Sequence, residues 1–357
     1  MEIKFKFMRE YRIHYHSGVY QTNSHEAALP QNSSTPPPAV LPIFLFGDSI
    51  FDVGTNNFVP ECTAKANHQH HGIDFPKSEP TGRFSDGFNT ADYLVKLMGH
   101  EMSPPPFLSL DKANSSFRDR ILEGANFASA GSGILDSTGF GAYKSLGSSK
   151  AKEFLSRSLF LISVGGNDVL DYGRFNNTIG GFWVSPLSLI PMLISAYENH
   201  LKNLYHLGAR RFGVVSMSPL GCCPYVRAQN NGECLQVANI FAQSFFDPMK
   251  NLLEQLAAKL PGMKYSLGNA YQMTMDIIQE PFTFNITEAA KACCGKGSFN
   301  GENRCDPDAQ VCENREEYLF WDRFHPTQAV ARFAARTLYG GSKNVVIPMN
   351  FSQLTQI

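Results

Sequence analysis

The chain has 357 residues, of which 43% are hydrophobic and 18% charged, ample to bury a sizeable core in one large α/β domain. Its 31 basic side chains nearly cancel 32 acidic ones, leaving a formal net charge of -1 and no electrostatic footprint for nucleic acid. No basic helix points to a membrane surface, and no run of about 18 apolar residues marks an integral membrane segment, so a small or neutral molecule is the expected partner.

Residues 1–20 carry positive charge, but Lys4, Lys6, Arg9 and Glu10 interrupt their apolar residues. A secretory signal needs an unbroken apolar stretch of about 7–15 residues, and none is evident there. Residues 21–38 are polar and proline-rich, so 1–38 reads as a disordered leader. A single domain is expected over 39–345, followed by a C-terminal tail at 346–357.

Ordered structure is expected from near Pro42. Ile43 to Phe46 is a short apolar run that stops at Gly47-Asp48-Ser49. Leu159 to Val164 stops at Gly165-Gly166-Asn167-Asp168, and Phe212 to Val215 stops at Ser216-Met217-Ser218-Pro219. Near-continuous apolar strands that end in polar loops fit a parallel sheet covered on both faces. From Ile190 to Tyr205 the apolar residues fall at spacings of three and four, which predicts a helix with Pro191 near its first turn and Gly208 closing it. Cys234 to Leu260 predicts another helix, kinked or split by Pro248. Pro326 to Tyr339 predicts a last one, with the proline near its first turn. The alternation implies a three-layer α/β/α sandwich with a mostly parallel central sheet, its ligands bound at the carboxyl ends of the strands.

Ester hydrolysis needs a nucleophile, a base, a group to hold the base, and donors for an oxyanion. Ser49 follows a buried strand, where its hydroxyl can stand at the rim of the sheet. Asp322 lies three residues before His325, close enough to accept from one ring nitrogen and leave the other for the serine proton. Asn167 can offer a side-chain amide, and Gly131 a backbone N–H without steric obstruction.

Four segments then carry a resemblance. Phe46 to Asn57 (FGDSIFDVGTNN) resembles the first signature block of the plant GDSL esterase/lipase family, within the wider SGNH hydrolases. Gly124 to Leu135 (GANFASAGSGIL), Val164 to Asp168 (VGGND) and Trp321 to Thr327 (WDRFHPT) are similar to the other three, in the family's chain order. The segments PLGCCP at 219–224 and KACCGKG at 291–297 also look like the plant branch. The resemblance implies an SGNH/flavodoxin-like fold and a serine esterase or lipase acting on a small or polymeric acyl ester. In that reading Ser49, Asp322 and His325 are catalytic, the oxyanion hole is formed by Ser49, Gly131 and Asn167, and no cofactor or metal is required. An acyltransferase using the same triad, or a catalytically silent carbohydrate- or lipid-binding relative, would share these segments.

Nearby polar residues have plainer readings. Asp48, Asn126 and Asp168 are expected to brace loops. His68, His70 and His71 have no second ligand set at zinc-like spacing, and Gly131-Ser132-Gly133 lacks the rest of a dinucleotide fingerprint. Of the eight cysteines, seven fall after residue 220, which suits disulfide-stapled loops in an oxidising compartment, with the pairing open. N-x-S/T triplets begin at Asn32, Asn114, Asn176, Asn285 and Asn350. Cysteines and resemblance together lead to an extracellular protein.

Overall fold

The computed structural model describes residues 41–110, 117–135, 152–174, 177–179 and 181–357. The expected leader and the triplets at Asn32, Asn114 and Asn176 therefore lie outside the described residues. Six strands form the central sheet: β1 (Ile43–Gly47), β2 (Gly124–Asn126), β3 (Leu159–Ser163), β4 (Arg211–Val215), β5 (Lys264–Gly268) and β6 (Val346–Ile347). Their order is β6-β5-β4-β3-β1-β2, all parallel except β6, which pairs antiparallel with β5. Read from the β2 edge this is the 2-1-3-4-5 order of flavodoxin-like sheets. The order reverses between β1 and β3, and a crevice opens there at the carboxyl ends of both strands.

The helices needed below are α1 (Thr90–Leu97), α2 (Gly166–Arg174), α3 (Pro186–Leu207), α4 (Gln236–Ser244), α5 (Phe246–Lys259), α6 (Ala270–Gln279), α7 (Gln328–Gly340) and α8 (Phe351–Thr355). Side chains alternate across a strand, and that period divides the core into two layers. Phe44, Phe46, Phe160, Ile162, Phe212 and Val214 pack with Leu193, Tyr197 and Leu201 of α3 and with Met249, Leu253 and Leu256 of α5. Ile43, Leu45, Leu159 and Leu161 face the other way, onto α1, α7 and α8 through Leu94, Val95, Leu338, Phe351 and Leu354. Both faces being covered explains why the strands read as unbroken apolar runs. Burying each of these side chains stabilises the fold by about 1.5–3 kcal/mol.

The expected three-layer sandwich is the observed one, but the elements differ in detail. The stretch 234–260 is two helices, parted at Phe245. Pro248 has no N–H for the carbonyl four residues back, at Ser244, and its ring crowds that carbonyl, so α4 ends there. Helix α3 begins at Pro186, four residues before the expected start. Pro191 is therefore inside the helix rather than in its first turn, and the carbonyl it leaves unmatched is that of Leu187, a residue 89% exposed to water. Helix α7 begins at Gln328, with Thr327 as its N-cap, so Pro326 precedes the helix.

The expected tail at 346–357 needs the largest correction. It supplies β6 and α8, and Phe351 and Leu354 are fully buried. The Ser266 hydroxyl donates to the Met349 carbonyl at 2.6 Å, tying the segment to β5. Its apolar residues are divided between a two-residue strand and a five-residue helix, each too short to show a period, which is why it reads as a tail.

Candidate active site

Strand β1 ends at Gly47, whose φ of 156° suits it to a close approach: a Cβ there would lie 2.2 Å from the Ser163 carbonyl oxygen. Asp48 donates its N–H to that same oxygen at 3.1 Å, and its carboxylate accepts from the Ile50 N–H at 3.0 Å. The turn so fixed leaves Ser49 half-buried at the carboxyl end of the sheet.

The partner arrives from the far end of the chain. Trp321 donates its N–H to the His325 carbonyl at 2.8 Å, closing a tight turn. Within it Asp322 Oδ1 accepts from the backbone N–H groups of Phe324 and His325 at 2.9 and 3.0 Å. Nδ1 of His325 lies 2.7 and 2.8 Å from the two carboxylate oxygens, and Nε2 lies 2.7 Å from the Ser49 hydroxyl. Burial alone would raise the Asp322 pKa, but the His325 imidazole and the hydrogen bonds it receives hold it at about 2. An ionised carboxylate only accepts, so Nδ1 donates to Asp322 and Nε2 is left to accept the serine proton. Phe84 stands with its ring centroid 4.9 Å from that of His325. The preceding residue, Arg83, is fixed by a buried bidentate pair with Asp92 of α1 at 2.7 and 2.8 Å.

Asn167 is in the first turn of α2, and its side-chain amide donates one hydrogen to the Ser132 carbonyl at 3.0 Å. Among the described residues the second amide hydrogen has no protein partner. Gly131 has φ +84°, a conformation that L side chains rarely adopt, although the space around it is open. Among the described residues the N–H groups of Ser49 and Gly131 donate to no protein acceptor. Ser49, Gly131, Asn167 and His325 all line one cavity of about 470 Å³.

The polar neighbours brace this arrangement. Asp168 accepts from the Ile134 and Leu135 N–H groups at 2.7 and 3.0 Å, and Asn126 accepts from Ala128 at 2.8 Å while donating to the Phe51 carbonyl. Asp52, which sequence reasoning passed over, does more than either. Fully buried, it accepts from Gly54, Thr55 and Ala130 at 2.6–2.9 Å and so joins the serine loop to the Gly131 loop. Asn56 adds a second tie, donating to the Ala130 carbonyl and accepting from the Ser129 hydroxyl. Both stand in the FGDSIFDVGTNN segment, where an acid and an amide beside a nucleophile gave the only signal.

His71 is buried, and burial depresses its pKa to about 4. Its neutral Nδ1 accepts from the indole N–H of Trp321 at 3.1 Å, supporting the His325 turn from behind. His70 contacts the Pro307 carbonyl at 3.0 Å, and His68 lines the cavity. Six cysteines pair, as Cys222–Cys234, Cys293–Cys312 and Cys294–Cys305, while Cys62 and Cys223 are free thiols. Asn285 is exposed; Asn350 caps α8, accepting from the Gln353 N–H at 3.0 Å. Among the described residues no helix is long and apolar enough to cross a membrane.

A serine, an imidazole and a carboxylate linked in that order at the rim of a doubly wound sheet is an arrangement suited to acyl transfer. Residues 43–338 match the model of the GDSL-like lipase/acylhydrolase family, and the chain belongs to that family. Among its relatives in Arabidopsis thaliana, GDSL esterase/lipase At5g55050 is 33% identical over 341 residues, covering 87% of this chain and 89% of that one. GDSL esterase/lipase At5g18430 is 36% identical over 334 residues, covering 87% and 91%, and GDSL esterase/lipase LTL1 is 34% identical over 341 residues, covering 87% and 89%. Such membership supports the hydrolysis of acyl esters as the activity.

Proposed function

We propose that this protein is a serine esterase that cleaves carboxylic esters through an acyl-enzyme. The observation that carries the reading is the continuous hydrogen-bonded chain from Ser49 through His325 to Asp322, each link at 2.7 Å. His325 Nε2 takes the proton as Ser49 Oγ bonds to the ester carbon, and the resulting oxyanion is held by the N–H groups of Ser49 and Gly131 and the amide of Asn167. Collapse breaks the bond to the alcohol oxygen, which leaves with the proton from His325. Water, deprotonated by His325, then attacks the acyl carbon and frees the acid, returning the hydrogen to Ser49. Asp322 keeps the imidazole in the tautomer both halves need.

The acyl group is assigned to the apolar end of the cavity, between α6 and α7, where Met273, Ile277, Val330, Phe333 and Leu338 line it. The three disulfides favour an oxidising, extracellular setting.

A fluorophosphonate should bond covalently to the chain, and peptide mass spectrometry should place the adduct on Ser49; an adduct on another serine would overturn the assignment. Replacing Asn167 by Ala removes one oxyanion donor, so kcat should fall by about 10²–10³ with KM little changed. A loss confined to KM would show that Asn167 binds substrate without serving the transition state.

A further inference from the structure

The cavity also carries side chains of opposite chemistry. Three arginines line it: Arg174 at the end of α2, Arg304 next to Cys305, and Arg323 between Asp322 and Phe324. Arg323 and Arg174 both lie over the ring of Tyr225, their guanidinium carbons 4.8 and 6.0 Å from its centroid. Arg304 is held by a bond from its guanidinium to the Thr63 carbonyl at 2.9 Å, and its loop is pinned by the Cys294–Cys305 disulfide. Burial lowers the pKa of Arg323, and both Arg304 and Arg174 are close enough to lower it further, whereas Asp322 opposes them.

Like charges gathered at one place repel, and proteins ordinarily intersperse acids among them. Here the acids are committed elsewhere or poorly placed. Asp322 is bound to His325, and Asp171 approaches Arg174 only to 3.7 Å. Among the described residues Arg304 and Arg323 form no salt bridge with a carboxylate. Lys65 adds a fourth cation to the lining. The Arg323 guanidinium lies over the rings of Tyr225 and Phe324, and Nη1 donates to the Glu302 carbonyl at 3.3 Å, leaving its other N–H groups for a carboxylate or phosphate.

We infer that the natural substrate is an anionic ester, its negative group on the alcohol portion and received by Arg174, Arg304 and Arg323 while the acyl chain occupies the apolar end. This rests on the esterase reading and narrows it, since a neutral alcohol portion would leave the arginine cluster unmatched. The disulfide at Cys305 then has a functional consequence, because it fixes the loop that carries Arg304.

The test compares 4-butanoyloxybenzoate with 4-butanoyloxybenzamide, esters of nearly the same shape that differ in charge. Each enzymatic kcat/KM is divided by the alkaline hydrolysis rate of the same ester to remove intrinsic reactivity. The full-length protein should prefer the benzoate by about tenfold, and the preference should shrink as salt is raised. In the Arg174→Gln/Arg304→Gln double variant, checked for folding by circular dichroism, the preference should fall well below that of the wild type, the remainder being what Arg323 and Lys65 supply; Arg304→Gln alone should already reduce it. Equal use of both esters, or a preference undiminished in the double variant, would overturn the inference and leave the esterase reading standing. If neither ester is cleaved, it is the esterase reading that fails. Calorimetric binding to Ser49→Ala still decides the present one, with about tenfold tighter binding of the benzoate supporting it and equal affinity refuting it.

Discussion

Ser49→Ala should lower kcat for a short-chain p-nitrophenyl ester by at least about 10⁴ while leaving the protein folded. The two halves of that expectation have separate grounds. Among the described residues the hydroxyl makes one side-chain hydrogen bond, to His325, in a cavity open to water, so its loss should cost stability no more than about 1 kcal/mol. Its chemical role has no substitute at the same place. The Ser132 hydroxyl, in the neighbouring Gly131 loop, is turned to the Gly47 and Ser129 carbonyls at 2.7 Å. What activity survives would come from the oxyanion donors and binding acting on water. Initial rates beside a thermal melt measure both halves, and a variant within tenfold of wild type would show that another nucleophile operates.

Much of this was legible beforehand because the relevant signals are local. An apolar run ending in Gly-Asp-Ser, another ending in Gly-Gly-Asn-Asp, and an acid three residues ahead of an imidazole each announce a position at the rim of a sheet. The convergence of Ser49 with His325 across 276 residues is not local. It follows from β1 sitting at the point where the strand order reverses, and from the Trp321–His325 turn being pinned against His71. Asp52 and Asn56 escaped notice because their ties to the Gly131 loop run largely to the backbone of Ala130, which no side-chain pattern announces. Strand β5 was missed for a different reason: Lys264-Tyr265-Ser266-Leu267-Gly268 has polar residues at positions that remain buried by pairing and by the Ser266 bond to Met349. The C-terminal elements depend on β5 and were lost with it.

Replacing Asp322 by Asn keeps the shape of the turn and removes the charge, so its effects should divide cleanly between catalysis and stability. The side-chain carbonyl can still accept the N–H groups of Phe324 and His325. Its amide, however, presents donors to Nδ1, which must then accept, and the ring proton moves to Nε2 facing Ser49. An imidazole in that tautomer cannot take the serine proton, and kcat should fall by about 10⁴. The stability effect has its own pH signature. The Asp322 pKa falls from its usual value of 3.8 to about 2 in the folded chain. Its contribution is therefore complete above the unfolded pKa and vanishes as pH drops through the folded one, amounting to on the order of 2 kcal/mol. Melts taken from neutral pH downward should show wild type losing that increment between about pH 4 and pH 2, and the variant lacking the step. A variant that kept nearly full activity would mean that His325 is oriented without its carboxylate, whereas parallel acid profiles for the two proteins would mean that Asp322 is not held ionised by its neighbours.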